Sequence, residues 1–146
     1  MRKIILTVAL ASIASITFSA SAQDHNSPIG KWKTLDDKTG KAMTVTEVYA
    51  AKNGTLAAKI VENLGLPATC DECSGANKGK SFVGIVTVWN MKADKDGTWG
   101  GGSGYKPSED MNFTARSMKL VDGGNKLELK GCKAFFCRTA TWVRAD

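Results

Sequence analysis

Short runs of Val, Ile, Thr and aromatic residues, separated by turn residues, fill most of the chain after its first 22 positions. In Lys126-Leu127-Glu128-Leu129-Lys130 the leucines alternate with charged residues, which is the period of a strand with one buried face. Asn53-Gly54 is typical of a two-residue hairpin turn. The pattern predicts about eight strands, which begin near Gly30, Met43, Thr55, Phe82, Thr98, Met111, Lys126 and Arg138.

Three stretches depart from clean alternation or allow another interpretation. The order of apolar and polar residues slips within residues 44–49, which indicates a β-bulge or a local twist. The run Phe82–Trp89 is apolar on both faces, so one face can line a lumen while the other packs under a loop. A short helix over Thr46–Lys52 is a weaker alternative, and Asn53-Gly54 would end it.

Tryptophan motifs stand at the two ends of the strand pattern. Gly30-Lys31-Trp32 opens the first predicted strand, and Trp142-Val143-Arg144 closes the last. This layout suggests that the first and last strands meet, which would close the sheet into one antiparallel, up-and-down β-barrel. We therefore predict an all-β fold over residues 23–146 with no C-terminal helix.

Gly30-Lys31-Trp32 resembles the Gly-x-Trp signature that opens the first strand of lipocalins and related calycin barrels. The resemblance implies that Trp32 plugs the closed end of the barrel and that a cation from the last strand packs on its ring. Arg144, two residues after Trp142, is the first candidate for that cation, and Arg138 is the second. The Thr-Asp-x-x-Tyr motif of lipocalins is missing, so the chain differs from a typical lipocalin.

The chain after the leader also resembles a narrower bacterial family, domain of unknown function 2147. The matching stretches are Ile29-Gly30-Lys31-Trp32-Lys33-Thr34, Asp36-Asp37-Lys38-Thr39-Gly40-Lys41, Cys70-Asp71-Glu72-Cys73, Val83-Gly84-Ile85-Val86, Trp99-Gly100-Gly101-Gly102 and Arg138-Thr139-Ala140-Thr141-Trp142. The resemblance implies an exported bacterial protein with a calycin-like barrel. It implies no particular activity.

Residues 1–22 have the composition of a secretory signal peptide. Arg2 and Lys3 precede a mostly apolar run, and Ala20-Ser21-Ala22 forms a small-residue cleavage site, so we expect cleavage after Ala22 and delivery to the periplasm or the medium. Polar residues dilute the apolar run, which favours a leader over a membrane span. Loss of the leader lowers the formal charge from +6 to +4. The remaining basic residues are scattered, which does not favour a nucleic-acid surface.

The four cysteines occur as Cys70-x-x-Cys73 and Cys132-x-x-x-x-Cys137. An exported chain favours disulfides, and three connectivities are possible. The expected hairpin between Cys132 and Cys137 would bring these two side chains within disulfide reach, which favours local pairs. A zinc site would require two short knuckles, and the second pair is too widely spaced for that.

No catalytic residues, metal site or cofactor are predicted. The favoured function is binding of a small apolar or lipid-like ligand in the lumen, with Trp89, Trp99, Tyr105 and Phe113 as candidate lining residues. The second possibility is a cell-envelope interaction module with a filled barrel, which would contact a protein partner through Phe135 and Phe136 at a hairpin tip. The third is a thiol-redox enzyme that uses Cys70 and Cys73.

Overall fold

Eight antiparallel strands form one closed barrel in which each strand pairs with its neighbours in sequence. The computed structural model describes residues 24–145, so the predicted leader and its cleavage site lie outside the described residues. The strands are β1 (Gly30–Leu35), β2 (Ala42–Ala50), β3 (Leu56–Asn63), β4 (Val86–Ala93), β5 (Thr98–Lys106), β6 (Met111–Val121), β7 (Lys126–Lys133) and β8 (Phe136–Arg144).

Pairing between β1 and β8 closes the barrel, with Trp32 opposite Arg144 and Lys33 opposite Val143. This confirms the predicted antiparallel, up-and-down barrel. The helical segments within residues 24–145 are three-residue 3-10 turns, at Gly75–Asn77, Lys95–Gly97, Pro107–Glu109 and Asp122–Gly124. No helix in this described range is long and apolar enough to span a bilayer.

The structure corrects the sequence-based prediction at several element boundaries. The alternative helix over Thr46–Lys52 is wrong, because residues up to Ala50 belong to β2 and pair with both β1 and β3. The Asn53-Gly54 turn is wider than a two-residue turn, since residues 51–55 connect β2 to β3 and Ala51 accepts a hydrogen bond from the Gly54 amide. The irregularity expected within residues 44–49 is present, because the register of β2 with β3 shifts between Val45 and Thr46, where the extra residue is Val61 on β3.

The apolar run that starts at Phe82 does not begin a strand there. Residues 82–85 belong to the long β3–β4 connection, and β4 begins only at Val86. Phe82 and Ile85 are nevertheless buried, because they pack with Cys70, Cys73 and Tyr105 in a second apolar cluster. The apolar character of this run therefore reflects packing by a loop.

The main core fills the lumen near one end of the barrel. Its buried members include Trp32, Met91, Met118, Leu127 and Trp142, which come from five different strands. Their side chains occupy the space enclosed by the sheet, and this end of the barrel is called the floor below. The β1–β2, β3–β4, β5–β6 and β7–β8 connections all lie at the opposite end, called the mouth.

Candidate functional site

Trp32 forms the centre of the floor. Its side chain is fully buried, and its indole N–H donates a hydrogen bond to the Pro28 carbonyl over 2.8 Å. The Arg144 guanidinium lies 4.2 Å from the centroid of the Trp32 ring, within the range of a cation–π contact. The first and last strands are thereby linked through side chains as well as through the sheet.

Arg144 also ties the segment before β1 to the floor. Its Nε donates to the Gly124 carbonyl over 2.8 Å, and its Nη2 donates to the Ser27 carbonyl over 3.1 Å. Burial lowers the pKa of Arg144, and Asp24 acts in the opposite direction; a guanidinium nevertheless stays charged in proteins. The charge is therefore stabilised by the aromatic face and by two backbone carbonyls.

Gly30 permits this close approach. A Cβ at this position would lie 3.3 Å from Arg144 Nη1. The backbone φ is +139°, a conformation that residues with a side chain rarely adopt. The Gly-x-Trp motif thus combines two requirements at one place. Glycine leaves room for the cation, and tryptophan provides the surface on which it packs.

Above the floor, the lumen contains a cavity of about 870 Å³ that reaches the mouth. Apolar side chains from β3, β4, β7 and β8 line its depth, among them Ile60, Val88, Leu129 and Trp142. Near the mouth the lining comes from the β1–β2, β5–β6 and β7–β8 connections. The cavity therefore has an apolar depth and a polar rim, as small-molecule sites commonly do.

A row of threonine hydroxyls provides the polar part of the inner wall. Thr34 Oγ1 and Thr44 Oγ1 lie 2.6 Å apart, and Thr44 Oγ1 lies 3.3 Å from Thr46 Oγ1. Each hydroxyl can donate or accept by rotating, so the row can offer a hydrogen bond to a guest at little cost. These threonines were not among the predicted lining residues, although polar positions inside the apolar β2 run were a usable signal.

The four predicted lining residues separate into two pairs. Tyr105 and Phe113 lie on the cavity wall. Trp89 packs against the second apolar cluster, and Trp99 packs against the main core; neither is part of the cavity lining. An irregularity at Asn90, which has a φ of 59°, lets both Val88 and Met91 enter the core, and this breaks the two-residue alternation in β4.

Phe113 enters the lumen because two glycines face it. A Cβ at Gly104 would collide with the end of the Phe113 ring, and a Cβ at Gly131 would lie 2.8 Å from Phe113 Cδ2. Gly104 is the residue directly opposite Phe113 in the β5–β6 pair. Strand glycines here allow a ring to lie flat against the wall, which leaves the centre of the cavity open.

Tyr105 connects the wall to two connections at the mouth. Its hydroxyl donates to Asp110 Oδ1 over 2.7 Å, and the same oxygen accepts from the Ser74 amide over 3.0 Å. Burial is the main cause that raises the pKa of Tyr105. The hydrogen bond from Tyr105 is the main cause that lowers the pKa of Asp110. The network holds the β5–β6 turn against the long β3–β4 connection.

The cysteines form two local disulfides, Cys70–Cys73 and Cys132–Cys137. Cys70 and Cys73 are each 2% exposed, so an external thiol cannot reach this bond without movement of the loop. Cys132 and Cys137 face each other across the β7–β8 hairpin. At the tip of that hairpin, Phe135 and Phe136 are 99% and 82% exposed.

No group of three His, Cys, Asp or Glu side chains within residues 24–145 is arranged to hold a metal ion. The two cysteine pairs lie in different parts of the fold and are each bonded internally.

The barrel is similar to the solved structure of protein HP1028 from the human pathogen Helicobacter pylori, which is described as belonging to the lipocalin family. The TM-score is 0.65 at 19% sequence identity, and the match covers 81% of this chain and 82% of that one. No curated protein matches the chain. The model of the family described as "Uncharacterized protein conserved in bacteria (DUF2147)" matches residues 30–144, from the glycine of the floor motif to the cation on its tryptophan. The chain is therefore a member of the DUF2147 family, with a lipocalin-like barrel.

Proposed function

We propose that this protein is exported and binds one small apolar or lipid-like molecule in the lumen of its barrel. The observation that carries the proposal is the cavity of about 870 Å³, bounded toward the floor by Trp142 of the main core and open at the mouth. Its volume falls within the ~300–1,000 Å³ typical of small-molecule pockets. A lipocalin-like barrel is compatible with such binding.

Export is supported by the leader-like composition of residues 1–22 and by two disulfides, which persist mainly in oxidising compartments. An apolar molecule in the periplasm or the medium is surrounded by water, so burial of its surface in a protein cavity is favourable. A preformed apolar cavity would bind it without the entropic cost of assembling a site.

The test is titration of the purified protein with N-phenyl-1-naphthylamine, a neutral dye that fluoresces in apolar surroundings. We expect saturable binding of one dye per protein at a dissociation constant of about 1 μM, which corresponds to about −8 kcal/mol. A flat response across dyes and a panel of acyl chains, isoprenoids and aromatic molecules would argue against lumen binding.

A matched pair of variants on β8 locates the bound dye. Ala140 lines the cavity, whereas its neighbour Thr141 is exposed and is not part of the lining. We expect Ala140→Phe to fill the cavity and weaken binding, and Thr141→Phe to leave binding unchanged. Circular dichroism establishes that both variants remain folded.

A second candidate function is favoured by the exposure of Phe135 and Phe136, 99% and 82%. Two adjacent exposed aromatic residues on a disulfide-braced hairpin form an apolar contact surface for a protein partner in the cell envelope. Dye binding that survives Ala140→Phe and is lost in Phe135→Ser would place the apolar site at this tip, outside the lumen.

A further inference from the structure

The last hairpin directs two cations toward the lumen. On β8, Trp142 and Ala140 pack in or against the core, and Arg138 follows at the same two-residue period. On β7, Leu127 and Leu129 are in the core, and Lys133 lies on the same face. Side chains at alternate positions share a face, and both Lys133 and Arg138 belong to the cavity lining.

These two cations are neighbours on that face. Arg138 pairs with Gly131, and Lys133 pairs with Phe136, so Lys133 and Arg138 are diagonal partners across the hairpin. Diagonal positions lie ~7–8 Å apart, close enough for both side chains to reach one small group. Gly131, opposite Arg138, has no side chain of its own, and the Phe113 ring lies beside it.

The three carboxylates that line the cavity are engaged by other groups. Asp37 and Glu109 both pair with Lys106, at 3.8 and 2.6 Å. Asp36 accepts hydrogen bonds from Thr39, which are the main cause that lowers the pKa of this carboxyl. Within residues 24–145, neither Lys133 nor Arg138 has an acidic side chain at ion-pair distance.

We infer that the cavity selects amphiphilic molecules with an anionic headgroup, a carboxylate or a phosphate, which Lys133 and Arg138 bind at the rim. This inference rests on the proposed function of the lumen. Two neighbouring cations without a counter-ion repel each other, and a bound anion removes that repulsion. The guanidinium donates two parallel hydrogen bonds to either headgroup, the ammonium adds a point charge, and the tail extends along the apolar wall toward Trp142.

Competition against bound N-phenyl-1-naphthylamine tests the inference. The competitors share a twelve-carbon chain and differ only in the headgroup: dodecanoate, dodecyl phosphate, dodecanol and dodecyltrimethylammonium. We expect the two anions to compete about 10-fold more strongly than dodecanol, and the cation to compete less than dodecanol. Comparing dodecanoate with dodecyl phosphate distinguishes the two headgroups.

The variant Lys133→Gln/Arg138→Gln should bring the anions to within about 2-fold of dodecanol. The matched control is Lys130→Gln, which removes an exposed cation from the outer face of the same hairpin and should preserve the preference. Lys130, Lys133 and Arg138 are all exposed, so neither variant should affect folding, and a thermal melt of each variant checks this.

Three outcomes overturn the inference. If all four competitors displace the dye equally from the wild-type protein, the lumen binds ligands without selecting a headgroup. The proposed function then holds and this inference fails. If the preference persists in the double variant or disappears in Lys130→Gln, the anion site lies elsewhere. If neither the dye nor any amphiphile binds, the proposed function fails and this inference fails with it.

Discussion

The floor and the mouth of this barrel are built from the same eight strands, but the charged side chains at the two ends have opposite environments. At the floor, the charge of Arg144 is buried against Trp32 and donates to two backbone carbonyls. At the mouth, Lys133 and Arg138 remain exposed, and Phe135 and Phe136 extend into solvent. The cation at the floor is fully engaged by internal contacts, whereas the two cations and the two rings at the mouth remain available to a ligand or a partner.

The difference follows from the side chains placed on the inner face. Large residues such as Trp32, Met118 and Trp142 meet at the floor and leave no central space. Toward the mouth, inner positions hold threonines and glycines, and the Phe113 ring lies against the wall. Stability should therefore depend mainly on the floor, and binding on the mouth.

The largest expected effect is at the floor. Trp32→Ala removes a fully buried side chain and should lower the free energy of unfolding by ~3–5 kcal/mol through lost burial and a residual cavity. Phe136→Ala at the mouth should change it by less than ~0.5 kcal/mol. Urea denaturation of both variants measures the contrast, and equal stabilities would remove the distinction between the two ends.

A smaller effect is expected from Arg144→Met, which keeps much of the side-chain volume. It leaves the Gly124 and Ser27 carbonyls without their donor and removes the cation from the Trp32 ring. We expect a loss of about 2 kcal/mol. Arg138→Met, on the same strand at the mouth, is the control. A comparable loss in both variants would mean that the floor contacts contribute nothing specific.

The smallest effect concerns the pH dependence of the mouth. The pKa of Asp110 is lowered in the folded state, chiefly by the hydrogen bond from Tyr105, so its contribution to stability is complete above the ordinary carboxyl pKa of ~3.9. That contribution decreases as the pH falls through the lowered value. Urea midpoints between pH 6 and pH 2 should fall more steeply for wild type than for Asp110→Asn. Parallel curves would show that the Asp110 network does not affect folding.

The sequence predicted the fold best where a residue pattern is compatible with only one kind of secondary structure. Alternation in β7 and the paired tryptophan motifs were sufficient for the barrel and its closure. The run Phe82–Trp89 misled, because burial of Phe82 and Ile85 under a connection produces the same apolar pattern as a strand. Strand parity was also hidden in the sequence, since the irregularity at Asn90 shifts which residues of β4 face inward.

By itself, the sequence determined the strand period, the order of elements and the motif that joins the two ends, because these depend on neighbours in the chain. Only the tertiary structure decided how far the core fills the lumen, which carboxylates pair with Lys106 and which cations remain at the rim. Those features depend on side chains that are distant in sequence and meet only when the barrel closes. A cavity is defined by atoms from many strands, so no single stretch of sequence encodes it.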